Sequence, residues 1–104
     1  MNILKKDDLQ FVIDCLPTAE LMAQLAEEAA ELAKAALKMR RCYDKTNPSR
    51  TPKEQAFKNL QEEIADVLLC LHALGLDTDQ CCGIYDEISN RKVKRWAESL
   101  EANG

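Results

Sequence analysis

The sequence predicts an all-α fold, a bundle of four to five helices, and three observations carry that prediction. Residues 18–43 are mostly alanine, leucine, glutamate, lysine and methionine, with no glycine or proline, a composition that favours helix. Apolar residues recur at intervals of three and four, as in Leu21, Leu25, Leu32, Ala36 and Met39, the spacing of one helix face. The strong breakers Pro17, Pro48, Pro52 and Gly75 fall between the periodic segments.

Each element follows from its local chemistry. Residues 4–15 hold Leu9, Val12 and Ile13 at partly helical spacing and form a short first helix. Pro17 stops it, because proline cannot continue a helix interior but suits a first turn. Thr18 is an alternative N-cap for the second helix, 18–43. That helix ends in Lys38, Arg40 and Arg41, cations that suit a negative C-terminus. Residues 44–51, with Asn47, Pro48 and Ser49, form a loop. Its Lys45 and Arg50 leave two readings open, a plain connection or a basic flap over an anionic substrate.

Thr51-Pro52-Lys53-Glu54 reads as a capping box with proline at the first helical position. The third helix runs from 52 to about 74 with the stripe Phe57, Leu60, Ile64, Val67, Leu68, Leu71 and Leu74. After residue 63 apolar residues nearly encircle it. Such a helix is buried on several sides, and in a chain this small a second subunit is expected to supply part of that burial. Gly75 suits a C′ position, and Asp77 is expected to cap a last helix, 78–100. Ile84, Tyr85, Ile88, Lys92, Trp96 and Leu100 mark its inner face, so Lys92 should need an anion to meet it.

The chemistry is carried by acids in the wrong places. Glu28 falls inside the apolar stripe between Leu25 and Leu32, with Glu31 at its edge and Glu27 further round. Glu63 and Asp66 repeat the three-residue spacing on the third helix, and residues three apart are neighbours on a helix surface. Burying a carboxylate is costly unless it is paired or bound to metal. Four carboxylates on two adjacent helices raise one another's pKa values, and a hard divalent cation relieves the repulsion. All-oxygen ligation selects magnesium or manganese.

Other chemistries find less support. A di-iron bundle needs Glu-x-x-His on two helices, and the single histidine, His72, lies six residues after Asp66. It reads as a core-edge residue. Glycine-rich phosphate loops are absent, with three glycines in the chain. The net charge of −4 argues against a nucleic-acid module. Five cysteines without a C-x-x-C pair read as free thiols in a reducing cytoplasm. No signal peptide or membrane span is visible, and 104 residues suit one domain, 1–104.

Glu27-Glu28-x-x-Glu31 followed by Glu63-x-x-Asp66 resembles the signature of the MazG-like, all-α nucleoside triphosphate pyrophosphatases, and residues 20–96 look like that family. Asn90-Arg91-Lys92-Val93-Lys94-Arg95-Trp96 resembles its closing helix. The resemblance implies a homodimer or homotetramer that hydrolyses a nucleoside triphosphate to the monophosphate and pyrophosphate with magnesium. It implies metal ligation by Glu28, Glu31, Glu63 and Asp66. Glu27 matches an auxiliary acid that orders water or acts as base, Glu31 is a second candidate base, and Asn90, Lys92 and Arg95 match phosphate contacts. The loop at 46–52 and the short first helix depart from the family pattern.

Two alternatives stand beside this reading. A phosphoribosyl-ATP pyrophosphohydrolase shares the acids but usually carries lysines ahead of the first motif, where this chain has Met22-Ala23-Gln24-Leu25-Ala26. A non-catalytic helical adaptor would share the fold, yet the acidic set is intact.

Overall fold

The computed structural model describes residues 6–44 and 51–104. They form four helices, α1 (Lys6–Cys15), α2 (Thr18–Tyr43), α3 (Lys53–Ala73) and α4 (Asp79–Asn103). The all-α prediction holds, and no strand occurs among the described residues. The reading of the loop as a flap, with Lys45 and Arg50, falls on residues 45–50, which lie outside the described residues. No helix among the described residues is long and apolar enough to cross a membrane.

Each of the caps of α2, α3 and α4 lies one residue from the position that capping chemistry suggested. Pro17, with extended ψ of 157°, occupies the N-cap position in place of Thr18. Its carbonyl accepts the amides of Glu20 at 2.9 Å and Leu21 at 3.1 Å. Pro52 likewise displaces Thr51 from the cap of α3, and no side-chain cap bond forms there. The Thr51–Glu54 spacing is therefore out of register for a capping box. Thr78, not Asp77, caps α4, with its Oγ1 accepting the Cys81 amide at 3.2 Å. Gly75 follows the C-cap Leu74 and takes φ of 69°, the left-handed conformation that ends helices.

The chain divides into two compact units, Met1–Leu74 and Gly75–Gly104. In the first, α2 and α3 pack as a pair and α1 packs on α3. Leu9 and Ile13 of α1 are half-buried, four residues apart on one face, while Val12 is exposed. Leu21, Ala35 and Met39 of α2 and Ala56 and Cys70 of α3 are buried. Ala35 takes the core place expected of Ala36, which is exposed. At about 100° per residue, the face that meets α3 is centred nearer Glu28 and Ala35 than the sequence stripe suggested. The ends of the pair are tied by Lys53 Nζ, which lies 4.2 Å from the Tyr43 ring centre.

Among the described residues of the first unit, α3 is not buried all round. Phe57, Ile64 and Leu68 form a second apolar face that is more than 40% exposed. The second unit holds a single helix. Its turn is pinned by the Tyr85 hydroxyl, which donates to the Leu76 carbonyl at 2.6 Å. With no second helix in that unit, Ile84, Trp96 and Leu100 are exposed. Lys92 is exposed too. All five cysteines are free thiols.

Gly75 and Gly83 predict opposite responses. Alanine at Gly75 meets no atom within 4 Å but must hold a positive φ, and we expect a loss of about 1–2 kcal/mol. Alanine at Gly83, inside α4 and also without a close neighbour, should gain up to about 1 kcal/mol. Urea unfolding midpoints of the two variants check both signs.

Candidate metal centre

Leu21, Glu28 and Ala35 recur every seven residues on α2, and Ala56, Glu63 and Cys70 do so on α3. A seven-residue step returns to within about 20° of the same helix face. Both series lie on the buried or half-buried faces of their helices, so an acid replaces a hydrophobe at the middle of each seam. The helices run antiparallel. Ala35 and Ala56 share one cleft, while Glu28 meets Glu63 further along.

That meeting point is the acidic centre. One carboxylate oxygen each from Glu28, Glu63 and Asp66 lies within 4.8 Å of the others. Glu28 and Glu63 are half-buried and Asp66 is exposed. Although apolar residues nearly encircle α3 here, Asp66 is exposed, and its neighbours Ile64 and Leu69 are exposed as well. Gln24 Nε2 donates to Glu28 Oε1 at 2.9 Å and orients that carboxylate from one turn earlier on α2.

The electrostatics follow from this placement. Burial raises the Glu63 carboxyl above its ordinary range, and the charges of Asp66, Glu28, Glu31 and Glu62 push the same way. Burial also raises the Cys70 thiol, with Glu28 and Asp66 adding to the effect. Cys70 is therefore a protonated, inert wall of the centre. Hard oxygens held close against their own repulsion fit a divalent cation of the magnesium class.

The other residues singled out in the sequence are on α2, α3 and α4. Glu31 is outside the group of three, and Lys34 Nζ holds its Oε1 at 3.3 Å. Glu27 is exposed on α2. Asn90, Lys92 and Arg95 are exposed on α4, in the second unit. His72 is half-buried near the end of α3, as expected of a core-edge residue.

Sequence reasoning missed a polar cleft beside the acids. Lys34, Ala35 and Lys38 of α2 line it with Ala56 and Asn59 of α3, and Glu31 and Glu63 close its acidic end. By its position alone Lys38 reads as a helix-end cation. Its seven-residue spacing from Glu31 was the available signal, as was the four-residue spacing of Gln24 ahead of Glu28.

Residues 17–80 match the sequence profile of the MazG nucleotide pyrophosphohydrolase domain. The chain belongs to that family. The match spans α2, the centre and α3, so the MazG domain contains both acidic motifs. No match is found among curated proteins or among solved structures. Membership of the MazG family points to nucleotide pyrophosphohydrolase chemistry and supports a metal role for the acids.

Two measurements follow. The raised pKa means that Glu63 favours the folded state below its unfolded pKa, about 4.3, and that this contribution is lost as pH rises through the raised value. Glu63→Gln should therefore raise the melting temperature of the metal-free protein at pH 7, and the gap should close near pH 4. Thermal melts in chelator at both pH values check this. In native protein at neutral pH, maleimide should label exposed Cys15 and Cys82 first and buried Cys70 last, as peptide mass spectrometry reads.

Proposed function

We propose that this protein is a magnesium-dependent nucleoside triphosphate pyrophosphohydrolase, releasing pyrophosphate and a nucleoside monophosphate, with ribo- or deoxyribonucleotides as the substrate class. The observation that carries the reading is the meeting of Glu28, Glu63 and Asp66 within 4.8 Å on the seam of a MazG-family helix pair. Those three carboxylates would hold the cation, and Glu31 is the proposed fourth ligand. Manganese has the same preference for oxygen. When bound, the cation supplies positive charge against phosphate oxygens and acidifies nearby water.

The chain's own groups supply the rest. Water attacks the α-phosphorus, and the bond to the bridging oxygen breaks with its electron pair leaving on pyrophosphate. Glu27 or Glu31, both on the exposed side of α2, accepts the water proton as general base. Asn90, Lys92 and Arg95 are proposed to contact the phosphate chain, where cations stabilise developing negative charge. The exposed Phe57, Ile64 and Leu68 face supports assembly as a homodimer or homotetramer, since a contiguous apolar patch marks an interface. A soluble, cytoplasmic enzyme without nucleic-acid or membrane partners completes the proposal.

A panel of nucleoside triphosphates assayed for magnesium-dependent pyrophosphate release tests it. Glu63→Gln and Asp66→Asn should each lose more activity than the roughly 10–100-fold typical of outer-shell partners, with helical circular dichroism unchanged. Full activity in either variant overturns the assignment.

A further inference from the structure

The cleft beside the acidic centre has a chemistry that the acids alone do not explain. Lys34 and Lys38 stand one turn apart on α2, opposite Asn59 on α3. Gln55 Nε2 donates to Asn59 Oδ1 at 2.9 Å, so the amide NH2 is the group that Asn59 offers to a ligand. Among the described residues, Lys38 has no acidic partner. Lys34 pairs with Glu31, but the two side chains are 68% and 52% exposed, and such pairs contribute little. Lys34 can exchange Glu31 for a ligand oxygen at small cost.

The floor explains why the space exists. Ala35 and Ala56 are 7% and 2% exposed and face each other across the helix pair. Larger side chains on the same two seams would fill the gap. The cleft measures about 140 Å³, below the roughly 300–1,000 Å³ of sites that enclose a whole organic ligand. It therefore suits one end of a nucleotide. Among the described residues no aromatic side chain lines it, whereas bases are commonly held by stacking on aromatic rings. Ammonium and amide donors with an acidic edge suit phosphate groups that carry a divalent cation.

We propose that this cleft binds the pyrophosphate end of the substrate, with Lys34 and Lys38 as direct phosphate contacts and Asn59 as an amide donor. The inference rests on the pyrophosphohydrolase reading for its substrate, but its geometry is independent of turnover. Glu63 and Glu31 belong to the cleft wall, and Glu63 also belongs to the acidic centre. A ligand seated there lies directly beside the proposed metal ligands.

The test is calorimetric binding of inorganic pyrophosphate to the full chain in magnesium buffer. Wild type should bind. Lys38→Ala should weaken binding by about 10-fold, the size expected for one hydrogen bond to a charged group. The Lys34→Ala/Lys38→Ala double variant should weaken it further, and Lys38→Arg should restore affinity to within about 3-fold of wild type. Nucleoside monophosphate binding should be unchanged by Lys38→Ala. Absent pyrophosphate binding in wild type, wild-type affinity in the double variant, or a loss confined to the monophosphate would each overturn the proposal. The last result would place the nucleoside in the cleft. Lys38-dependent pyrophosphate binding by a protein that turns over no triphosphate would sustain the cleft and sink the hydrolase reading. Normal turnover with unchanged KM in the double variant would do the reverse.

Discussion

Repulsion between Glu28 and Glu63 is the term that the α2–α3 pair has to overcome. Both occupy the middle of a seven-residue seam, where a helix pair normally places hydrophobes. Asp66 adds a third charge within 4.8 Å. The pair holds because the layers on either side are apolar, with Leu21, Ala35 and Met39 buried on α2 and Ala56 and Cys70 on α3. The cost is local: burial first, then the charges of Asp66 and Glu28, raise the Glu63 carboxyl above its ordinary range. A cation that binds only the folded arrangement turns this cost into stabilisation, because binding to the native state alone shifts the folding equilibrium.

The same seam orders the chemistry along its length. Acids lie at one level, and a turn further along α2 the wall becomes Lys34 and Lys38 above the alanine layer. A metal-bearing polyphosphate has a matching polarity, with a cation at one point and bare anionic oxygens beyond it. Small residues have a structural role here as definite as that of the charged ones. Ala35 and Ala56 let the backbones approach and leave the space between the lysines and Asn59.

Much of this was legible in the sequence. The four helices follow from composition, period and breakers; α2 has its expected bounds, Pro52 takes the cap position and starts α3 one residue late, and α4 runs on to Asn103. Glu28 stood out because it interrupts an apolar stripe. The cleft was hidden because lysines near a helix end have an ordinary explanation in the helix dipole, and because alanine signals helix long before it signals a gap. The rotation of α2 that buries Ala35 in place of Ala36 depends on packing against α3, which a single-helix pattern does not contain. Lys92 and Trp96, expected on an inner face, are exposed within their unit. Their stripe is amphipathic, but their unit holds no second helix to cover it.

Membership of the MazG family points to nucleotide pyrophosphohydrolase chemistry, and the meeting of Glu28, Glu63 and Asp66 offers a place where a cation could be held between two helices. The central claim is that Glu28, Glu63 and Asp66 form one divalent-cation site. Calorimetric titration of the nucleotide-free protein with magnesium, repeated on Glu28→Gln, Glu63→Gln and Asp66→Asn, tests it most directly. The account predicts saturable binding in wild type that is lost or strongly weakened in all three variants, each still helical. Wild-type affinity in any of the three would contradict it.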